Sequence, residues 1–342
     1  DLKFNTILNP FGIIFNPISI AKSLEIILDE YRIFEKKDLF QHFGGWHSFQ
    51  HHSSFSNLKE EVVLENINSA LSEARGFLKK AEYLILTFGT SNVFVSEKTG
   101  QVVSNCHKVP QKYFIHKKLS VDEIILTLDD IFRKYASAFP NLKIVTSVSP
   151  IRHVRGGLVV NKVSKAKLLV ALDNLTSLHP QVEYFPSYEL MMDDLRDYRF
   201  YKKDLIHPNE MAVDYIWDFF SKTFFSKNTI GLNSKLKKLN VAKSHRPFHP
   251  ESEEYLKFKK SQISPLQSNS NDSSISSADS DAPEIMSSPA TITTSDDELH
   301  SNSQAPLTEA NLCKIHDNPT NLPPVPLSCS SAPCEHHTTS IH

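Results

Sequence analysis

The sequence predicts an α/β domain with a mainly parallel sheet and helices on both of its faces. Short apolar runs typical of strands alternate with longer segments in which apolar residues recur at helical spacing. Polar or histidine-containing loops follow at least three of the predicted strands. Because ligands bind beyond the carboxyl ends of the strands in open parallel sheets, these loops are where we expect the functional residues.

The amino-terminal segment predicts a strand followed by a helix. Residues 4–8 read as a short strand. Asn16 is typical of a helix N-cap and Pro17 of the first helical position, which together predict a helix over about 17–30. Its apolar residues recur at helical spacing and supply one face for burial.

The segment 40–55 is rich in aromatic residues and histidine but follows neither the helical nor the strand period. We therefore expect an ordered surface loop there. A helix resumes after Asn57, because Glu60 stands at the position that a capping box gives to an acidic residue. The apolar stripe that follows extends this helix to about Leu78.

A continuous apolar run at 83–88 predicts a strand that is buried on both faces and delivers the loop beginning at Gly89. Two short runs, 93–96 and 101–104, predict a hairpin that leads into Asn105. The later elements alternate as an α/β domain requires. They are a helix over about 120–138, a strand at 142–147, a helix over about 164–178 and a strand at 182–185.

The bulk composition is that of an ordinary globular protein. The chain has 342 residues, of which 40% are hydrophobic, and this is enough for a sizeable core. The net charge of -2 gives no reason to expect nucleic acid or a membrane as a partner, and the sequence holds no apolar run long enough to cross a bilayer. Four unevenly spread cysteines favour a reducing compartment and hence the cytoplasm. Since the chain begins with Asp1 rather than Met, the sequence does not decide whether a signal peptide precedes it.

The carboxyl-terminal part differs in composition from the rest. After about residue 262 the chain is rich in Ser, Thr, Pro, Asp and Asn and has no aromatic residue, which predicts a disordered tail. We therefore expect one folded domain over 1–245, followed by a linker and tail over 246–342. Two cysteines and two histidines near the end match the spacing of no common zinc site, so we expect no metal there. They are Cys329, Cys334, His336 and His337.

Asp204 and His207 are the first candidates for catalysis. An Asp three residues before a His allows a carboxylate to orient an imidazole from one short loop. Pro208 suits the first turn of a helix, and an apolar stripe follows it at helical spacing. The stripe consists of Met211, Ala212, Tyr215, Ile216, Phe219 and Phe220. The pair is therefore predicted to lie on a loop that a core-packed helix anchors.

A hydrolase also needs donors for a developing oxyanion. Gly12 and Gly89 lie on loops after predicted strands, where a backbone N–H can approach a ligand, although simple turn geometry explains them equally well. The Asn105 side chain can donate from its amide. Cys106 and His107 resemble a thiol–imidazole pair, but neighbours on a strand point to opposite faces, so we interpret Cys106 as a buried structural thiol.

A metal-dependent hydrolase is the competing interpretation. Five histidines of the domain raise it, namely His51, His52, His107, His153 and His207. No HExxH or similar cluster fixes two ligands on one helix face, so we expect these histidines to serve as hydrogen-bonding residues and expect no metal. The charged run 193–199 fits either a solvated face or internal ion pairs that support the nearby loop.

Several motifs together resemble the GSCFA family, bacterial proteins similar to SGNH/GDSL-type hydrolases. The resemblance covers about residues 1–225. It rests on NPFGIIFNPISIA, LTFGT, NCHKVP, SVSPIRH, SKAKL and the long motif YFPSYELMMDDLRDYRFYKKDLIHP. It implies a flavodoxin-like three-layer α/β/α sandwich and a serine hydrolase site in which Asp204 and His207 match the DxxHP element of the family.

The chain departs from the family pattern in two places. The Gly-Ser-Cys-Phe-Ala motif, which resembles the block that carries the nucleophilic serine, does not occur in this sequence. We expect a truncated chain rather than a protein that has lost its nucleophile. Gly156-Gly157 stands where the family tends to have an acidic residue and glycine. The second oxyanion donor stays open among four residues, namely Thr90, Ser91, Asn92 and Asn105.

The resemblance implies a serine esterase or acylhydrolase acting on a small-molecule or carbohydrate ester, with deacetylation of carbohydrates as one variant. No cofactor is expected. The predicted substrate-binding and oxyanion residues are Gly12, Gly89, Thr90, Asn105 and His107. Two alternatives remain, a non-catalytic module that binds a glycan or acyl ligand and a metal-dependent hydrolase. The sequence leaves the oligomeric state open.

Overall fold

The computed structural model describes residues 4–244. The helices are α1 (Pro17–Leu28), α2 (Glu60–Leu78), α3 (Val121–Ala138), α4 (Leu158–Leu178), the single turn α5 (Ser187–Glu189), α6 (Glu210–Phe224) and α7 (Lys227–Ser244). The strands are β1 (Phe40–His42), β2 (Gly45–His47), β3 (Tyr83–Phe88), β4 (Asn92–Ser96), β5 (Val102–Val103), β6 (Phe114–Lys118), β7 (Lys143–Val148) and β8 (Val182–Tyr184). The predicted α/β class is confirmed.

A parallel sheet of three strands in the order β3-β7-β8 forms the centre of the domain. Tyr83 pairs with Lys143 at the start of β3 and β7, and Phe88 pairs with Val148 at their ends. Since the strands run in parallel, the loops that follow β3 and β7 leave the sheet at the same edge. This edge therefore collects the segments beginning at Gly89 and Ser149.

Helices cover both faces of this sheet. On one face the inward side chains of the strands pack with α1, α3 and α4 in the larger hydrophobic core. These strand residues are Leu86, Phe88, Ile144, Val148 and Val182. On the other face Val145 and Phe185 pack under the apolar side of α6. The domain thus buries alternate residues of its central strand against different helices, as the pleat requires.

The predicted burial of β3 on both faces is wrong. Tyr83 is 42% exposed and Ile85 is 55% exposed, whereas Leu86 and Phe88 are buried. The reason is the position of α6, which packs over Val145 of β7 rather than over β3. An apolar run alone does not reveal which of its residues a distant helix will cover.

Two further predictions of strand and loop are wrong. Residues 4–8 form no strand, since no neighbouring strand in the described part of the chain pairs with them. The segment 40–55, predicted as a loop, contains the antiparallel hairpin β1–β2. The turn of this hairpin is Phe43-Gly44, where both residues have left-handed φ values. Three-residue strands are too short for the period of their side chains to be recognised.

The predicted hairpin at 93–104 is confirmed and belongs to a larger sheet. β4 pairs with β5 on one side and with β6 on the other, all antiparallel. β6 was not predicted. Of its five residues only Phe114 is buried, so the sequence of this strand carries almost no alternation.

The start of α1 agrees with its predicted cap, whereas the starts of α2 and α4 differ from their predictions. Asn16 caps α1 by accepting from the Ser19 N–H at 2.8 Å, as predicted. The capping box predicted for Asn57 and Glu60 does not form, because the Asn57 side chain accepts from the Lys59 N–H instead. α4 begins at Leu158, six residues before its predicted start.

The predicted linker and tail over 246–342 lie outside the described residues, and so do the four cysteine and histidine residues near the end of the chain. Across residues 4–244, no helix combines the length and the apolar character that a membrane span needs.

Candidate active site

The Asp204–His207 loop is held at both ends. Before the loop, Tyr201 forms an isolated bridge with Pro208. After it, Asn209 caps α6 by accepting from the Ala212 N–H at 3.1 Å. α6 begins at Glu210, so Pro208 precedes the cap and does not occupy the first helical turn as predicted. Ala212 is fully buried, whereas Met211 and Tyr215 of the predicted stripe are 56% and 44% exposed.

Asp204 and His207 form a hydrogen-bonded pair. Nδ1 of His207 lies 2.7 Å from Oδ2 of Asp204. Oδ1 of Asp204 accepts from the backbone N–H groups of His207 at 3.0 Å and Ile206 at 2.9 Å. These bonds, followed by the bond to the His207 ring, lower the pKa of Asp204 to about 2. The carboxylate stays ionised near neutral pH and accepts a hydrogen bond from the Nδ1–H group of His207, which leaves the lone pair on Nε2 to act as a base.

Arg152, in the loop after β7, fastens this pair to the sheet. Its Nη1 donates to the carbonyl of Leu205 at 3.1 Å, and its backbone N–H donates to the carbonyl of Ile206 at 3.4 Å. The guanidinium carbon lies 4.2 Å from the centre of the Tyr201 ring. Leu205 has a left-handed φ of 56°, a conformation that a branched residue adopts only when its surroundings impose it.

Arg152→Ala is expected to loosen the loop without unfolding the domain. A hydrogen bond to a charged group is worth about 1.5–3 kcal/mol, so local opening should become about 10- to 100-fold more frequent. Amide hydrogen exchange at Ile206 and His207 measures this opening. Arg155→Ala is the control, because it removes an equal charge from the same loop. Equal exchange rates in the wild type and Arg152→Ala would show that Arg152 does not fasten the loop.

Two residues of α4 hold the loop that follows β3. Oγ of Ser164 accepts from the Ser91 N–H at 2.7 Å and lies 2.9 Å from Oγ1 of Thr90. Nζ of Lys165 donates to the carbonyls of Gly89 and Ser149, each at 2.6 Å. Lys165 is fully buried, and its burial lowers the pKa of the amine to about 7. One buried amine thus ties together the ends of β3 and β7.

Gly89 lies against His153 and Phe15. A Cβ at Gly89 would lie 2.8 Å from Nε2 of His153 and 3.0 Å from Cβ of Phe15, so any larger residue would collide with them. The Gly89 N–H donates to the carbonyl of Phe15 at 2.7 Å. Burial, followed by the charges of Lys165 and His207, lowers the pKa of His153 to about 4. A neutral His153 therefore stands beside Gly89 at neutral pH.

Of the predicted side-chain oxyanion donors, Asn105 is the one whose two amide N–H groups both stay unbonded among the described residues. The Gly12 N–H donates to the carbonyl of Asn9 at 2.7 Å, which favours the turn interpretation for this glycine. Thr90 is buried and bonded to Ser164, and the Asn92 amide donates to Oγ1 of Thr90 at 3.1 Å. Oδ1 of Asn105 accepts from the His107 N–H at 2.8 Å, while its Nδ2 group makes no hydrogen bond with residues 4–244.

His107 is buried, and its Nε2 lies 2.8 Å from the carbonyl of Ser48. Its burial lowers the pKa of the ring to about 4. Cys106 is half-buried, and burial raises the pKa of its thiol despite the opposing charge of Arg155. A thiol with a raised pKa is a poor nucleophile at neutral pH, in keeping with its structural interpretation.

The metal interpretation finds no ligand set in the described part of the chain. No group of three or more His, Cys, Asp or Glu side chains there is placed to hold a metal ion. His51 stacks on Phe11 at 4.7 Å, and Nδ1 of His52 lies 3.0 Å from Oγ of Ser54. In the charged run 193–199, Asp193 pairs with Arg196 and Asp197 with Arg199. Both are exposed pairs on the surface.

The sequence interpretation missed Arg152 and Lys165. The Arg152 side chain donates to the backbone carbonyl of Leu205, 53 residues away, and no local spacing indicates such a contact. The sequence does contain a signal that points to Lys165. This lysine stands between Asn161 and Leu168 on the buried side of α4, where a charged residue needs a specific partner.

The comparisons with known proteins bear on this geometry. The GSCFA family model matches residues 1–220 and so includes the Asp204–His207 loop, Arg152 and Lys165. Neither a curated protein nor a solved structure matches the chain. Since the matched residues make up well over half of the sequence, the chain belongs to the GSCFA family.

Proposed function

We propose that this GSCFA protein is a serine ester hydrolase of the SGNH type, with a flavodoxin-like α/β/α sandwich as its scaffold. The observation that carries the proposal is the hydrogen bond of 2.7 Å between Nδ1 of His207 and Oδ2 of Asp204. The side chains are about half exposed, His207 at 50% and Asp204 at 43%, so a substrate can reach them. An ionised Asp that fixes the tautomer of a reachable His is the acid–base half of a hydrolytic triad.

The nucleophile in this proposal is the serine of the Gly-Ser-Cys-Phe-Ala motif. This motif is absent from the 342 residues, so we place the serine on a segment of the protein outside them. The hydroxyl oxygen of the serine attacks the ester carbonyl, and Nε2 of His207 takes its proton. The leaving alcohol then takes that proton from the imidazolium, which Asp204 stabilises. Water, deprotonated by His207, then attacks the acyl carbonyl, and the serine oxygen leaves with the proton from His207 as the acid is released.

Asn105 is the proposed side-chain donor to the oxyanion. Its Nδ2 group is free among residues 4–244, and its orientation is fixed because Oδ1 accepts from the His107 N–H at 2.8 Å. A preoriented donor of this kind contributes about 2.7–4 kcal/mol to the stability of the transition state. The proposed substrate is a carbohydrate or other small-molecule ester.

The test is hydrolysis of p-nitrophenyl acetate and butyrate by the protein that includes the motif. His207→Ala should lower kcat by about 10⁴-fold or more, and Asp204→Asn by about 10³- to 10⁴-fold. Asp197→Asn is the control, because it removes a nearby exposed carboxylate that pairs with Arg199. Unchanged kcat in His207→Ala would remove the pair from the mechanism. Activity should survive a chelator, whereas a metal-dependent hydrolase would lose it.

A non-catalytic binding module is the second candidate. A cavity of about 730 Å³ beside Asn105 and His107 favours it, since a ligand can bind there whether or not it is hydrolysed. Ligand binding without turnover in the protein that includes the motif would establish this alternative and exclude the hydrolase.

A further inference from the structure

The β1–β2 hairpin, the segment that follows it and the segment after β5 line an open cavity of about 730 Å³. Its wall combines histidine, amide, hydroxyl and apolar side chains, and no Asp or Glu lines it. The lining residues that matter are His42, Phe43, His47, Ser56, Asn105 and His107. Lys108 is the one charged residue on this wall, so the cavity suits a neutral ligand better than a cation.

Two ring nitrogens in this wall are buried without a hydrogen-bond partner among the described residues, Nδ1 of His107 and Nε2 of His42. Because Nε2 of His107 donates to the carbonyl of Ser48, its Nδ1 carries the lone pair and can only accept. A buried acceptor left without a donor destabilises the folded protein. His107 is 7% exposed and lines the cavity.

Both ring nitrogens of the neighbouring His47 have hydrogen-bond partners within the protein. Its Nε2 lies 3.0 Å from the carbonyl of His42, and its Nδ1 lies 2.7 Å from Oγ of Ser56. The ring of His47 lies 5.0 Å from that of His107. Of these two adjacent rings, one has both nitrogens bonded within the protein and the other keeps an acceptor for a ligand.

Phe43 lies at the rim of the cavity in a backbone conformation that Phe rarely adopts. The residue has a left-handed φ of 48° and is 83% exposed. A Phe in this conformation is strained, and a hairpin turn of this kind normally has Asn or Gly there. Its ring contacts that of His42, with centroids 4.1 Å apart. Strain and apolar exposure at one residue beside a cavity are typical of a ligand contact.

The geometry points to a binding site for a neutral pyranose sugar in this cavity. The C–H face of the sugar stacks on the exposed ring of Phe43, and one of its hydroxyl groups donates to Nδ1 of His107. The Nδ2 group of Asn105 donates to another sugar oxygen. That the sugar carries the hydrolysed ester rests on the proposed function, whereas its binding does not.

The test uses Phe43→Asn. Asn tolerates the left-handed turn and pairs well with Gly44, so the variant should fold and be no less stable than the wild type. Phe43→Asn also removes the aromatic ring on which the sugar would stack. The probes are the methyl pyranosides of glucose, galactose, mannose and N-acetylglucosamine, and binding is measured by ligand-detected saturation-transfer NMR. At least one should bind to the wild type, and its Kd should increase about tenfold in Phe43→Asn.

Tyr31→Asn is the matched control, since Tyr31 is 94% exposed and does not line the cavity. It should leave the Kd unchanged. His207→Ala should also bind the sugar as the wild type does, which separates the binding site from the proposed hydrolysis. The inference is overturned if none of the four glycosides binds, in which case the cavity holds only solvent. It is equally overturned if Phe43→Asn and the wild type bind with the same Kd.

Discussion

Gly12→Ala should destabilise the domain by about 3 kcal/mol or more. Gly12 has a left-handed φ of 79°, and a side chain in that conformation alone costs about 1–2 kcal/mol. A Cβ at this position would also overlap Cβ of His52 and lie 3.3 Å from its Cα. The neighbouring backbone cannot yield easily, because the His52 N–H donates to the carbonyl of Phe11 at 2.9 Å. Overpacking of this kind adds about 1–3 kcal/mol.

Gly44→Ala separates the two contributions. Gly44 has a similar φ of 73°, yet nothing lies within 4 Å of its added Cβ. This variant should therefore lose only the conformational part, about 1–2 kcal/mol. Denaturant unfolding at constant m-value measures both changes. An equal loss of stability in the two variants would show that the contact between Gly12 and His52 is looser than the structure indicates.

Acidification should destabilise the domain through two buried histidines. His51 is 1% exposed, and burial lowers its pKa to about 3, with a smaller contribution from the charge of His107. Burial likewise lowers the pKa of His107 to about 4. In the unfolded chain both titrate near 6.5. The unfolded state therefore binds more protons below pH 6.5, and stability falls as pH decreases from about 6.5 toward 3.

The expected size of this effect follows from linkage. At pH 5, His51 alone should remove about 2 kcal/mol relative to pH 7, since each pKa unit corresponds to about 1.36 kcal/mol. His51→Phe retains an aromatic ring against Phe11 and Phe34 but removes the titrating group. The free energy of unfolding of this variant should therefore fall by about 2 kcal/mol less than that of the wild type between pH 7 and pH 5. His116→Phe is the control, because His116 is exposed. Identical pH slopes in the wild type and His51→Phe would mean that His51 takes up its proton at the same pH in the folded and unfolded states.

What the sequence predicts correctly is decided by neighbours in the chain. Asn16 caps α1 three residues away, and the bond between Asp204 and His207 spans three residues. Both patterns follow from local backbone geometry, so spacing alone is enough to find them. The alternation of strands and helices likewise carries the α/β class.

What it does not predict depends on distant contacts. The exposure of Ile85 is set by where α6 packs, and α6 begins more than a hundred residues later. The bond from Arg152 to the carbonyl of Leu205 needs the fold to bring two loops together. Asn105 and Asn92 were equivalent as donors in the sequence, and only their hydrogen bonds distinguish them.

The central claim is that His207, oriented by Asp204, activates the serine of the Gly-Ser-Cys-Phe-Ala motif. Covalent labelling of that serine by a fluorophosphonate tests it most directly, because the serine oxygen bonds to phosphorus, fluoride leaves and the proton passes to His207. Mass spectrometry of the protein that includes the motif should find one adduct, on this serine, and His207→Ala should slow its formation by about 10³-fold or more. An equal labelling rate in His207→Ala, or no adduct in the wild type, would contradict the claim.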